Sequence, residues 1–206
     1  MLTRRHLLVL LPATATVALA LALPASPALA QTAEQAEAFI RQTGNELAAV
    51  VNGPGATPQK QQQLQAIVDR TVDVNEVARF CLGRFWRTAS PQQQKEYLDL
   101  FHRVLMINIT GKVGEYQGVS ITVGRAQSRE GGMVVSTVVN RPNNPPSKVD
   151  WLLNWENGGW KIVDVIAEGT SLRITQRSDY ASYLSHNNGS VQALIDALRK
   201  QASQQG

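Results

Sequence analysis

The chain has 206 residues, 43% hydrophobic and 17% charged, with 20 basic and 16 acidic residues for a formal charge of +4. That length excludes a multidomain machine, the single cysteine excludes an internal disulfide, and so weak a charge excludes the broad basic footprint of a nucleic-acid binder. Three histidines and one cysteine, with no spaced pair among them, leave no zinc-type ligand set, so neither metal nor cofactor is expected.

Residues 1–30 read as an export signal: Arg4 and Arg5, an apolar run from Leu7, and the small-x-small site Ala28-Leu29-Ala30 ahead of Gln31. Cys81 is the only cysteine, so none stands at the cleavage site to take a lipid. "TRRHLL" partly fits a twin-arginine signal, and ordinary secretion fits as well. Removing those thirty residues, two of them arginine, leaves residues 31–206 as one domain of 176 residues with a balance of about +2.

Within 33–51, Phe39, Ile40, Leu47, Val50 and Val51 share a helical face, and "NGPGATP" (52–58) ends the helix. Leu64, Ile67, Val68 and Val72 mark a second helix. Asp73 with Glu76 three residues on starts a third, which Gly83 ends. Ser90-Pro91 with Gln93 is a capping box opening the longest helix, whose stripe is Tyr97, Leu98, Phe101, Val104, Leu105 and Ile109. After Tyr116 the period changes to two. Val119, Ile121 and Val123 alternate with polar residues, Met133 to Val139 follows a Gly131-Gly132 turn, and Trp151, Leu153 and Trp155 share one side of residues 149–156. Asn157-Gly158-Gly159 makes a tight hairpin into 160–167. Helices are expected near 178–184 and, capped by Ser190, to Arg199. The expectation is an α+β fold, with N-terminal helices, a four-stranded antiparallel curved sheet and wrapping helices.

No G-x-S-x-G turn, phosphate loop or dinucleotide fingerprint occurs. In "GGWKIVDVIAEGTSLRITQRSDYAS" (158–182), Asp164 and Glu168 are four apart and would share a strand face, as paired acid–base carboxylates do. The plainer reading is that Glu168 caps backbone N–H groups where the strand ends, or that an arginine such as Arg173 or Arg177 meets the carboxylates. Ser171 has no neighbouring histidine to activate it and suits a turn. Strand 160–167 puts Trp160, Ile162 and Ile166 on one face and Val163 and Val165 on the other, so both faces are expected to be covered. Periodicity alone favours a filled core there over a pocket.

"LGRFWRTASPQQQKEYLDLF" (82–101), "YQG" (116–118), "VDWLL" (149–153), "GGWKIVDVIAEGTSL" (158–172) and "RSDYAS" (177–182) resemble the MlaC, or toluene-tolerance, family of periplasmic phospholipid-binding proteins. The resemblance implies a fold of the nuclear-transport-factor type with added helices. It implies a non-enzymatic carrier that moves phospholipid between an outer membrane lipoprotein complex and an inner membrane ABC transporter complex and maintains lipid asymmetry. A branch tied to hopanoid metabolism leaves a polycyclic or other hydrophobic cargo open, and a small hydrolase or isomerase on the same fold is the remaining alternative. On this resemblance Tyr97, Phe101, Leu105 and Ile109 face the acyl chains from the long helix. Ile121, Val135, Trp151, Leu153, Val163 and Val165 stand opposite, and Arg141, beside a proline-rich loop, sits at the rim where a guanidinium suits phosphate oxygens. The protein is expected to be periplasmic and monomeric.

Overall fold

The structure, a computed structural model, describes residues 27–129 and 132–204. Most of the expected export signal, residues 1–26, lies outside the described residues, as does Gly131 of the first hairpin turn. The described residues form six α-helices and one antiparallel sheet, in the order α1 (Pro27–Asn52), α2 (Thr57–Thr71), α3 (Val74–Leu82), α4 (Pro91–Thr110), β1 (Ser120–Arg129), β2 (Gly132–Asn140), β3 (Ser147–Glu156), β4 (Gly159–Ala167), β5 (Thr170–Ser171), α5 (Leu172–His186) and α6 (Val191–Gln204). Short 3-10 segments follow α3 and α4, at Gly83–Arg87 and Val113–Tyr116.

The caps fall where side-chain chemistry puts them. Asp73 accepts the Glu76 N–H at 2.8 Å, and Ser90 and Gln93 close a reciprocal capping box with Pro91 inside it. Gly83 ends α3 at φ +58°, in the region glycine enters without steric cost. Two expectations shift. Helix α1 begins at Pro27, ahead of residue 33, so the expected cleavage point after Ala30 falls in its first turn. Helix α5 begins at Leu172, six residues before the expected Ser178, because Ser171 caps it by accepting the Ile174 N–H at 3.1 Å.

The sheet is open, in the order β1-β2-β3-β4-β5, and has five strands where four were expected. The added β5 is only Thr170–Ser171, brought back onto Ile166 and Ala167 by the turn at Glu168-Gly169. The rest of the β4 edge is shielded at Ile162, whose carbonyl accepts the Asp73 N–H at 3.0 Å beside a parallel bridge to Val72. The Asn157-Gly158 turn has both residues at positive φ, as a two-residue hairpin requires.

Two bulges shape the sheet. In β1 the register shifts between Val123 and Ala126, and the Ala126 N–H is taken by the Glu37 carboxylate of α1 at 2.8 Å. In the β3–β4 pair, Leu152 opposes Asp164 while Leu153 opposes Ile162, leaving Val163 unpaired. This overturns the expected alternation. Past the bulge the strand changes face, so Ile162 and Val165 stand on one side together. Helix α1 lies across that side, and Gly44 lets it approach Ile121, whose side chain would meet an added Cβ at 3.4 Å.

Candidate functional site

Among the described residues the apolar interior divides into two clusters. The larger joins α3, α4, α5 and α6 through Ala78, Cys81, Leu82, Tyr97, Phe101, Val104, Tyr180, Leu184, Ile195 and Leu198. Tyr97 is wholly buried, donates its hydroxyl to the Ala78 carbonyl at 2.8 Å and meets Tyr180 edge-on at 6.3 Å. Burial pushes the Tyr97 phenol far above its ordinary range and the Cys81 thiol up to about 12, so both stay neutral at physiological pH. The smaller cluster lies between α1 and the sheet and comprises Ala36, Ile40, Met133, Val135, Leu153 and Ile162. Val72, between α2 and α3, packs against both. A main core with a smaller satellite is the ordinary arrangement, and the boundary between the two runs past Val72.

Partly exposed apolar side chains flank each cluster. Leu105, Ile107 and Ile109 of α4 lie on the helical one, and Val123, Trp151, Trp160 and Val165 lie on the sheet one. The polar groups of the sheet wall are largely tied off. Thr137, itself buried, donates its hydroxyl to the Val149 carbonyl at 2.8 Å and accepts the Trp151 indole N–H at 3.0 Å. The ring is thereby held in the wall with its one donor satisfied. The Trp160 indole N–H is buried without a hydrogen-bond partner.

The residues expected from sequence distribute over this division. Tyr97 and Phe101 are buried in the helical cluster, with Leu105 and Ile109 partly exposed on its margin. Val135 and Leu153 are fully buried in the sheet cluster, with Trp151 and Val165 on its margin. Ile121 packs toward Gly44 of α1, and Val163 is fully buried at the bulge. Arg141 lies over the Tyr116 ring at 5.1 Å, near the end of the 3-10 segment that follows α4. Sequence reading missed Thr137, Val72 and Met133. Thr137 carried a signal, a lone hydroxyl on the inward parity of a β-branched strand.

Asp164 and Ser171 meet, but Glu168 and His102 bond elsewhere. Asp164, 6% exposed, accepts the Ser171 hydroxyl at 2.6 Å and the Val165 and Arg173 N–H groups, and its carboxylate lies 3.5 Å from Arg173 Nε. These contacts clamp the start of α5 onto β4. Glu168 accepts the Lys148 N–H at 2.7 Å from an exposed turn, which is the capping role expected of it. His102 is paired with Asp69 across α4 and α2 at 2.6 Å. It also lines a cleft of about 920 Å³ between those helices, whose walls carry Gln61, Gln62, Gln65, Arg103 and Lys112 above Met106 and Ile107. Ser171 caps a helix and bonds a carboxylate; neither histidine is its partner, so no nucleophile–base pair forms. Among the described residues no group of three or more His, Cys, Asp or Glu is placed to hold a metal ion, and no helix is long and apolar enough to cross a membrane.

The MlaC protein family model matches residues 41–200. The chain belongs to the MlaC family. Among curated MlaC-like relatives, the toluene tolerance protein ttg2D of Pseudomonas putida is 26% identical over 135 residues, which are 65% of this chain and 63% of that protein. The match thus spans a little under two thirds of the relative's length. A phospholipid-binding protein from Ralstonia solanacearum, solved in complex with a phospholipid, has a TM-score of 0.74 and 22% identity to this chain, covering 82% of it and 98% of that chain. At that identity the likeness is one of fold. It extends the MlaC assignment to the arrangement of helices on an open antiparallel sheet.

Proposed function

We propose that this protein is a carrier that shelters the acyl chains of a phospholipid in the seam between its helical and sheet clusters. The observation that carries the reading is the division of one domain's core into two apolar bodies with half-exposed aliphatic and aromatic side chains at their margins. Family membership and the phospholipid complex of the Ralstonia relative support it. In this reading Leu105 and Ile109 line one wall and Ile121, Trp151 and Val165 the other. Tyr97, Phe101, Val135, Leu153 and Val163 back those walls, and Arg141 stands at the rim.

The physical task suits such a site. Moving one methylene from water to an apolar site is worth about 0.8 kcal/mol, so two chains of about sixteen carbons represent on the order of 25 kcal/mol. A dry wall removes most of that barrier without forming any bond, which fits a protein whose candidate acid–base groups Asp164 and Glu168 are held by backbone N–H groups, Ser171 and Arg173. The full proposal is that residues 1–30 are cleaved after export and that the remaining monomeric domain shuttles lipid through the periplasm. It would move between an outer membrane lipoprotein complex and an inner membrane ABC transporter complex, maintaining lipid asymmetry.

Organic extraction of the native protein followed by mass spectrometry tests the proposal. Near-stoichiometric phospholipid is expected from the wild type and little from Val165→Asp of unchanged helical signal. A wild type free of lipid, or a Val165→Asp variant that keeps it, contradicts the proposal.

A further inference from the structure

A second feature stands apart from the seam, where α3, the 3-10 segment after it and the first turns of α5 meet. Arg79, Arg84, Arg87 and Arg177 are exposed there, and none forms an ion pair among the described residues. Three of them are braced on rings: Arg79 lies over Trp86 at 5.2 Å, Arg84 over Phe85 at 4.9 Å and Arg177 over Phe80 at 4.9 Å. Arg177 also lies against Gly83, which ties the two elements into one surface. Two carboxylates of this region are turned to Arg173: Asp164 is clamped to α5 and Glu76 faces Arg173 at 3.9 Å. On α5 Ile174 is 59% exposed. Ile174 and Arg177 are three apart on α5 and so share a face.

We infer that this surface docks the protein on an anionic phospholipid bilayer. Guanidiniums match phosphate oxygens in pairs, and stacking on rings fixes their direction before contact, so little side-chain freedom is lost on binding. Ile174, an exposed aliphatic side chain on the face of Arg177, suits insertion at the depth of the headgroups. Four unpaired charges and one exposed aliphatic side chain give weak, salt-sensitive and reversible attachment, which suits a protein that must leave again. The inference goes beyond the carrier proposal and stands on residues outside both walls of the seam, so either can fail alone.

Flotation with vesicles of phosphatidylglycerol in phosphatidylethanolamine, against vesicles of phosphatidylcholine alone, tests it on the full mature chain. Binding to the anionic vesicles alone is expected, with release at about 1 M salt, where the Debye length falls to about 3 Å. Near a membrane each guanidinium is worth about fivefold, so Arg84→Gln/Arg87→Gln/Arg177→Gln is expected to weaken binding on the order of a hundredfold. Ile174→Ser is expected to weaken it as well. Arg41→Gln/Arg125→Gln/Arg129→Gln removes the same charge elsewhere and is expected to change binding little. Co-purified lipid is expected to be the same in all of them. No flotation of the wild type, equal losses in the two arginine triples, or loss of co-purified lipid in the patch variants overturns the inference.

Discussion

The two sides of the interior are built differently. On the helical side seventeen buried side chains, among them Tyr97, Leu184 and Ile195, interlock α3 to α6, with Val68 of α2 and Ala89 of the connector before α4 joining them. On the sheet side the buried set is six, and the side chains of Trp151, Trp160 and Val165 beside it stay partly exposed. The contrast follows from geometry. Helices α3 to α6 can close around one another, whereas α1 lies chiefly over β1 and β2, and Trp151 of β3 and Val165 of β4 stay partly exposed beside the sheet cluster. One side is a packed body and the other a wall, and a carrier needs both: stiffness to hold its shape when empty, and apolar surface not yet satisfied.

The connection between the sides gives the largest expected effect. Asp164 clamps α5 to β4, and Asp164→Ala leaves the largely buried Arg173 guanidinium without its closest carboxylate. Removing one partner of a buried pair costs about 3–5 kcal/mol, which urea unfolding will register. A loss below 1 kcal/mol would mean that the two sides hold together without the clamp. Next comes the difference in packing. Leu184→Ala on the helical side is expected to cost about 2–5 kcal/mol, and Val165→Ala on the wall less than about 1.5 kcal/mol, because a side chain already in contact with open space leaves less cavity behind. Equal losses would erase the distinction.

Chemical reactivity separates the sides more gently. Burial holds the Cys81 thiol at about 12, so native protein is expected to resist alkylation at pH 8 and to react only as fast as it unfolds. The smallest effect belongs to Glu76, whose carboxyl is raised above its ordinary range by burial, with Arg173 opposing. A raised carboxyl binds its proton more tightly in the folded state, so the stability it adds is full below about pH 4 and is lost as pH rises through the folded value. Glu76→Gln is therefore expected to gain stability over wild type at neutral pH, an advantage that closes on acidification. The opposite trend would show that the ion pair with Arg173 outweighs burial.

Much of this was legible in sequence where one local rule decides the outcome. The caps at Asp73 and Ser90, the glycine stop at Gly83 and the Asn157-Gly158 hairpin each depend on a few adjacent atoms, and each stands as read. The helical stripe of α4 was equally plain, because its period is carried by Tyr97, Phe101, Val104 and Leu105 together. What was not legible depends on pairing at a distance. The bulge at Val163 is set by the register of β3, and without it the period of two assigns Val165 to the wrong side relative to Ile162. The early start of α5 rests on Ser171 as a cap, and its β-branched first turn hid that helix from propensity. That the interior parts into two clusters is a property of packing. From the stripe and the meander alone a filled core was the simpler expectation.

The central claim is that acyl chains lie between the clusters, against the wall that Trp151 occupies. Quenching of intrinsic fluorescence by a phospholipid brominated along its acyl chains tests this most directly, since bromine quenches only indoles it touches. The account predicts strong quenching in the wild type that is largely lost in Trp151→Phe/Trp160→Phe, which removes both indoles of the sheet wall, and kept in Trp86→Phe, whose indole lies on the helical side under Arg79. Quenching that survives Trp151→Phe/Trp160→Phe and disappears with Trp86→Phe would place the chains elsewhere and contradict the account.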